Sequence, residues 1–351
     1  MNILHIEDEP WDSGMAHYAT TLAAEQVRAG HRVEFWGRAD SPILTEARRL
    51  GLAVRGWEGG VAGLLSWNSQ RREADAFAPA VINAHTGSAH TTALMLAFKR
   101  PYAVVRTRGD ARMPKSGALA RLAAGRTSAF IAVNKSLEEA LKAAFPGAKV
   151  ARVAQGIAGP ERASGLPEAP VAGVLARFDK VKGHETLLDA VARVKSALPG
   201  LRARCAGEGR LLERLRWQLK PAGLESLVEF PGRVDDKWAF MAGCRIGVVP
   251  SLGSEAVSRA ALEWMAAGRA VIASKVGGLP DIVEDGVTGL LVPPGDPAAL
   301  AEALSSLLLY PKTAERLGRA ARERWEKEFG LEEFCAATQN VYDHVTPHLP
   351  S

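Results

Sequence analysis

Gly156-Ile-Ala-Gly-Pro-Glu-Arg-Ala-Ser-Gly-Leu-Pro-Glu-Ala-Pro170 carries no hydrophobic periodicity, and six of its fifteen residues are Gly or Pro, which marks it as a linker. The run Val171-Ala-Gly-Val-Leu-Ala176 follows at once and reads as a strand. Upstream of the linker, strands are expected at Asn2–Ile6, Arg32–Trp36, Ala80–Ala84, Tyr102–Val105, Ala129–Val133 and Lys149–Val153, with helical periodicity between most of them. Downstream the scheme repeats, with strands near Leu201–Ala206, Leu227–Phe230, Ile246–Val249 and Ala270–Ala273, then helices at Pro297–Leu309 and Lys312–Glu328. Alternation of this kind predicts parallel α/β sheets. The expectation is two Rossmann-like domains, residues 1–160 and 170–328, whose sheets face a cleft where ligands meet the carboxyl ends of the strands. A last helix, within residues 329–351, is expected to cross back to the first domain.

The composition agrees with two domains. A chain of 351 residues exceeds the size at which one core stops growing. With 47% hydrophobic and 24% charged residues it is neither collagenous nor disordered. The longest apolar candidate, Ala118–Val133, is broken by Arg121 and Arg126 and falls short of a membrane span. Met1-Asn-Ile-Leu-His-Ile-Glu-Asp8 lacks the basic head and apolar stretch of a secretion signal. Cys205, Cys244 and Cys335 are odd in number and far apart, which excludes a disulfide framework and a Cys-x-x-Cys metal site. A cytoplasmic location is therefore expected.

The net charge of +5 is unevenly placed. Residues 1–168 hold 21 basic against 16 acidic groups, and residues 169–351 hold 23 of each, so the surplus belongs to the first half. Within it Lys99, Arg100, Arg106, Arg108, Arg112, Lys115, Arg121 and Arg126 face one acid, Asp110. Such a stretch suits a phosphate-bearing partner, an anionic membrane surface or nucleic acid, and equally a solvated helix face.

The most informative spacing is Glu255-Ala-Val-Ser-Arg-Ala-Ala-Leu-Glu263, after the strand Ile246–Val249. Glu255 is expected in the loop at the strand's carboxyl end and Glu263 inside the ensuing helix; eight helical steps span about 12 Å. Carboxylates that far apart can take two sets of hydroxyls at opposite ends of one long ligand. Val257 and Ser258 between them would expose backbone N–H groups to an anion. The same pattern is compatible with a helix cap and a local ion pair. In Val174-Leu-Ala-Arg177-Phe-Asp-Lys-Val-Lys182-Gly183, Arg177 closes a strand and Lys182 opens a helix, the two cations that a diphosphate bound without a metal requires. No Asp-x-Asp stands at a strand end, so no metal and no cofactor are expected. Phe230-Pro-Gly232-Arg233-Val234 ends another strand at the same edge, with backbone groups available to a base. Gly207 and Gly209 lack the third glycine of a dinucleotide fingerprint and read as a tight turn. Gly14, in Asp12-Ser-Gly-Met-Ala-His17, opens the first helix in anion-binding geometry.

In this order and spacing, Ser13-Gly14, Leu22-Ala23, Gly30-His-Arg-Val33, Arg177, Lys182-Gly183, Gly207, Gly209, Phe230-Pro-Gly232, the Glu255/Glu263 pair, Ala270-Val-Ile-Ala-Ser, Gly277-Gly-Leu-Pro280 and Asp285-Gly-Val-Thr-Gly-Leu-Leu-Val-Pro293 resemble the retaining nucleotide-sugar glycosyltransferases of family 4, whose two-Rossmann-domain fold is called GT-B. The resemblance covers nearly the whole chain. It implies that Arg177 and Lys182 bind the donor diphosphate, with Val257, Ser258 and Arg259 beside the phosphate and donor sugar. It further implies that Glu263 holds the ribose hydroxyls, that Glu255 contacts the donor sugar, that Gly14 approaches the phosphate, and that Gly232, Arg233 and Val234 meet the base. Arg177, Lys182 and Glu255 would carry the chemistry electrostatically, with retention of configuration and without a metal.

Three departures stand out. Ser13 replaces the first of two glycines, Ser258-Arg259 adds a guanidinium beside the donor, and Arg108 stands where the family usually has a histidine, in Val105-Arg-Thr-Arg108-Gly-Asp110. Arg108 cannot serve as a base; with Asp110 and His85 it is expected to hold the acceptor. The run Glu7-Asp8-Glu9, with Asp12, is expected either to bind acceptor hydroxyls or an amine, or to be an exposed acidic loop. The expected partners are a nucleotide-sugar donor and an anionic glycan or glycolipid of the cell envelope, such as a lipopolysaccharide intermediate, with peripheral contact at the inner membrane face and no nucleic acid. A sugar-nucleotide epimerase of related fold, and a catalytically silent carbohydrate-binding scaffold, are the competing readings.

Overall fold

In the computed structural model, which describes residues 1–11, 13–57, 66–109, 114, 116–253 and 255–346, the chain forms two units, Met1–Gly156 with Leu331–Ser351, and Ile157–Gly330. The first is built on a seven-stranded, wholly parallel sheet of β1 (Asn2–Glu7), β2 (Arg32–Arg38), β3 (Ala53–Trp57), β4 (Val81–Ala84), β5 (Ala103–Arg108), β6 (Ala129–Ala132) and β7 (Val150–Arg152), in the order β3-β2-β1-β4-β5-β6-β7. The second is a six-stranded parallel sheet of β8 (Val171–Leu175), β9 (Arg202–Ala206), β10 (Val228–Gly232), β11 (Ile246–Val249), β12 (Ala270–Ser274) and β13 (Gly289–Val292), ordered β10-β9-β8-β11-β12-β13. The expected architecture of two Rossmann-like sheets is the one adopted. Each sheet reverses its winding at one point, between β1 and β4 in the first and between β8 and β11 in the second, and ligands of such folds bind outside the strand ends at that reversal.

Central strands are apolar throughout because helices cover both faces: β11 is buried at every residue, and so is β4. Two strands have no counterpart in the sequence reading. β3 and β13 are sheet edges with one neighbour each, and β3, Ala-Val-Arg-Gly-Trp, is half-exposed and too polar to register as an apolar run.

The helix Leu331–Asp343 belongs to the first unit, as its expected return required. It lies against the helix Gly14–Arg28, with Phe334 edge-on to Tyr18 at 4.7 Å. Its buried Tyr342 hydroxyl accepts a hydrogen bond from Asn83 Nδ2 at 2.7 Å.

The linker expected at residues 156–170 is fastened to the second unit. Three arginines hold its carbonyls: Arg269 donates to Ser164 O (2.9 Å) and Gly165 O (3.1 Å), Arg245 to Pro167 O (3.3 Å) and Glu168 O, and Arg322 to Pro160 O (3.0 Å). Arg245 and Arg269 are buried, so these bonds satisfy both the guanidinium and backbone acceptors that lack a strand partner.

Trp264 is fully buried on the helix Arg259–Ala266, and its indole fills a trough left by Gly173 on β8 and Gly247 on β11. A methyl group at Gly247 would stand 2.2 Å from the indole, and one at Gly173 2.4 Å. These glycines therefore fix how closely the helix lies on the sheet, and with it the position of the adjacent Glu263.

Candidate functional site

At the β8/β11 reversal the loop after β8 runs through Arg177 into a short 3-10 turn, Lys180–Lys182, and then the helix His184–Val194. Gly183 joins them at φ +69°, and a side chain there would strike the Pro250 carbonyl at 1.8 Å. Only glycine lets the Lys182 turn lie this close to the end of β11. As a result Lys182 Nζ reaches Glu255 Oε1 at 2.5 Å, and Ser251 Oγ donates to the same oxygen at 2.6 Å. Glu255 is buried, and its charge is matched by the Lys182 ammonium.

The backbone of Glu255 is held from the other side. The amide of Gly278 donates to its carbonyl at 2.7 Å, and Gly277, at φ +56°, leaves no room for a Cβ, which would lie 2.3 Å from that oxygen. The Gly277-Gly-Leu-Pro280 segment thus acts as a seat for the Glu255 loop.

Glu263, also buried, faces a second cationic group. Lys237 Nζ lies 2.7 Å and Arg259 Nη2 3.3 Å from its Oε1. Lys237 is absent from the sequence reading because it meets Glu263 across 26 residues, which no local spacing links; Ser251 stands only four residues before Glu255, a proximity that the sequence reading did not use. Ser258, the residue before the helix Arg259–Ala266, is buried and its hydroxyl has no partner among the described residues, and Val257 beside it is half-buried. Arg177 is exposed and lies 3.4 Å from Asp179. Arg233 is exposed and Val234 half-buried beyond β10, where Gly232 at φ +78° has open space around its Cα. Gly207 and Gly209 let the β9 loop approach the β8 loop: a Cβ on the first would meet Ala176 O at 2.0 Å, and Phe178 N–H donates to Glu208 O at 2.8 Å. His184, next to this loop, stacks on Phe178 at 4.4 Å, and burial pulls its pKa down to about 4, so it is neutral and adds no charge beside Lys182.

In the first unit, one of the residues expected to hold an acceptor lies inside the protein. His85 is buried at the end of β4, stacked on His5 at 5.3 Å. Gln26 Oε1 accepts from His5 Nε2 at 2.7 Å; His5 Nδ1 then accepts from His85 Nε2 at 3.0 Å. Burial holds both rings neutral, His5 at about 4 and His85 well below the usual histidine range. The acidic run is likewise engaged rather than exposed. Asp8 accepts from the Thr86 and Ser88 hydroxyls at the start of the helix Gly87–Leu96, and Glu9 accepts from Ser13, the cap of the helix Gly14–Arg28. Glu7 is fully buried, and burial, reinforced by Asp8 and Glu9, raises its pKa to about 8 against the pull of the Glu9 amide and Arg106. Arg108 ends β5 half-buried, and Gly109 after it packs against Met15, one residue beyond Gly14. Asp110, Arg112, Lys115 and Asp12 lie outside the described residues.

Comparison with known proteins matches each unit to a family. Residues 13–158 match the model described as Glycosyltransferase Family 4, and residues 169–309 the model described as Glycosyl transferases group 1. The chain is 33% identical over 218 residues to a D-inositol 3-phosphate glycosyltransferase of Streptomyces bingchenggensis, covering 58% of this chain and 48% of the relative. It is 38% identical over 152 residues to a phosphatidyl-myo-inositol mannosyltransferase of Mycobacterium leprae, covering 42% and 40%. A third relative is the O-antigen chain mannosyltransferase C of Escherichia coli, at 35% over 169 residues, covering 47% and 44%. The chain spans less than half the length of these curated relatives. Among solved structures, Anabaena HepE in complex with UDP superposes with a TM-score of 0.85 at 21% identity, over 98% of this chain and 100% of that one, a likeness of fold.

Proposed function

Since the chain belongs to the glycosyltransferases of family 4 and group 1, we propose that it moves a sugar from a nucleoside diphosphosugar to an acceptor hydroxyl, with retention of anomeric configuration and without a metal ion. The observation that carries this reading is the Lys182–Glu255 pair at the β8/β11 reversal, with Glu263 eight residues further along on the next helix. In the reaction the bond from the anomeric carbon to the leaving phosphate oxygen breaks, the acceptor oxygen bonds to the same face, and the acceptor proton passes to the departing diphosphate. Lys182 and Arg177 stabilise the charge that develops on that diphosphate, in the role a metal ion fills elsewhere. Ser258 and the N–H groups at the head of its helix add to this. Glu255 orients the donor sugar and Glu263 the ribose. The names of the UDP-bound structural neighbour and of the inositide and O-antigen relatives support a nucleotide donor and a glycolipid or glycan acceptor.

The first unit takes the acceptor, and its basic surplus favours an anionic one. No described helix is long and apolar enough to cross a membrane. The helix Ala118–Ala124, however, exposes Leu119 and Leu122 beside Arg121, which favours peripheral contact with an anionic bilayer. Thermal shift with UDP, GDP, ADP and their sugars, with and without EDTA, tests the donor reading. One nucleotide should raise the Tm irrespective of EDTA; stabilisation by none would refute it. Flotation with phosphatidylglycerol and with phosphatidylcholine vesicles tests the membrane contact, which predicts binding to the former alone.

A further inference from the structure

Glu263 is a buried carboxylate with one oxygen spoken for twice. Oε1 accepts from Lys237 at 2.7 Å and from Arg259 at 3.3 Å, and each hydrogen bond and ion pair of this carboxylate among the described residues runs through Oε1. The two cations reach it from different elements. Arg259 lies one turn back on the same helix, whereas Lys237 is the first residue of the helix Lys237–Ala242, which follows β10. That helix is firmly begun: Asp236 Oδ1 accepts from the amides of Trp238 and Ala239, both at 2.9 Å. The Lys237 ammonium also sits over the Trp238 ring at 4.7 Å, which limits where else it can go.

We infer that Lys237 is a positioning residue, one that fixes the Glu263 carboxylate so that Oε2 alone is presented to vicinal hydroxyls and thereby sets a preference for a ribonucleotide donor. A carboxylate pinned through one oxygen by two cations cannot rotate without losing both bonds, so the direction of its second oxygen is set before any ligand arrives. Lys237 also stands five residues after Gly232, so it ties the backbone assigned to the base to the carboxylate assigned to the ribose. Ribose recognition on this account depends on two segments of the second unit that are distant in sequence. Lys237 itself need not touch the ligand.

The inference rests on the donor-site reading, and the test separates the two. Affinities of UDP, GDP and ADP and of their 2′-deoxy forms are measured by calorimetry on the full chain and on Lys237→Ala, Lys237→Gln, Lys237→Arg and Glu263→Ala. The wild type should prefer the ribonucleotide it binds by about tenfold, the value of one charge-assisted hydrogen bond. Glu263→Ala should abolish the preference, Lys237→Ala and Lys237→Gln should remove most of it, and Lys237→Arg should keep it. Lys237→Ala and Lys237→Gln leave the buried Glu263 with Arg259 as its remaining cation, so Tm should fall moderately, and affinities are compared well below the Tm of each variant. If Lys237→Ala and Lys237→Gln retain the full preference while Glu263→Ala loses it, Lys237 does no positioning and the donor reading stands. If Glu263→Ala retains it as well, both are overturned.

Discussion

Lys182 Nζ and Glu255 Oε1 meet at 2.5 Å although 73 residues separate them, and Gly183 is what permits the approach, because any side chain there would collide with Pro250 O. The two residues proposed to receive the donor are therefore bonded to each other before it binds. A ligand at this site has to share the Lys182 ammonium with Glu255, so the pair has both a structural and a functional value.

Those values can be separated. Lys182→Ala leaves Glu255 buried without its cation and should lower stability by about 1–3 kcal/mol, less than for a fully buried pair because Lys182 keeps some contact with water. Adding Glu255→Ala removes the orphaned charge and should recover much of that loss while activity stays absent. Urea denaturation of the two single variants and the double variant checks this, and additive losses would show that the pair is not coupled.

Gly277→Ala should disturb Glu255 from the backbone side. The left-handed conformation alone costs an alanine about 1–2 kcal/mol, and its methyl would press on the Glu255 carbonyl. Lower stability with weakened nucleotide binding is expected. Gly286→Ala, also at positive φ but with open space around it, should lose stability without losing affinity.

The trough beneath Trp264 gives a third prediction. Gly247→Ala places a methyl against the indole and should destabilise by about 1–3 kcal/mol, the range for an overfilled core. Since the helix must shift to relieve the contact, Glu263 moves with it, and nucleotide affinity should fall with stability.

Stability should also depend on pH in opposite senses at two buried sites. Glu7 has its pKa raised from 4.5 to about 8, so the stability linked to its neutral form is complete below pH 4.5 and is lost as pH rises toward 8. His5 is lowered from 6.5 to about 4, so its contribution is present above pH 6.5 and lost as pH falls toward 4. Glu7→Gln should accordingly flatten the fall in Tm between pH 5 and 8 and leave the acid side unchanged. An unchanged alkaline slope would show that Glu7 is ionised in the folded protein.

Much of this fold can be read from the chain because parallel strands buried on both faces are written as apolar runs such as Ile246-Gly-Val-Val249. The edge strand Ala53–Trp57, with Arg55 and Gly56 inside it, carries no such signal. Within the site, the Glu255/Glu263 spacing was legible since both residues belong to one loop and one helix. Lys237, which meets Glu263 across 26 residues, was not. The acidic run was misleading for a different reason: Asp8 and Glu9 serve as hydrogen-bond acceptors for the helix starts at Thr86 and Ser13, and which hydroxyl a carboxylate finds is decided by packing. Burial of His85 behind His5 was hidden in the same way.

The central claim, transfer from a nucleoside diphosphosugar at the Lys182–Glu255 site, is tested most directly by donor turnover. UDP-, GDP- and ADP-sugars are incubated with the wild type, Lys182→Ala and Glu255→Ala in EDTA, and the products are followed by NMR. One donor should release its nucleoside diphosphate slowly with wild type and not with either variant, the freed sugar first appearing in the donor's own anomeric configuration. Release by neither wild type nor variants, an epimerised sugar without free nucleotide, or turnover that requires a divalent metal would contradict it.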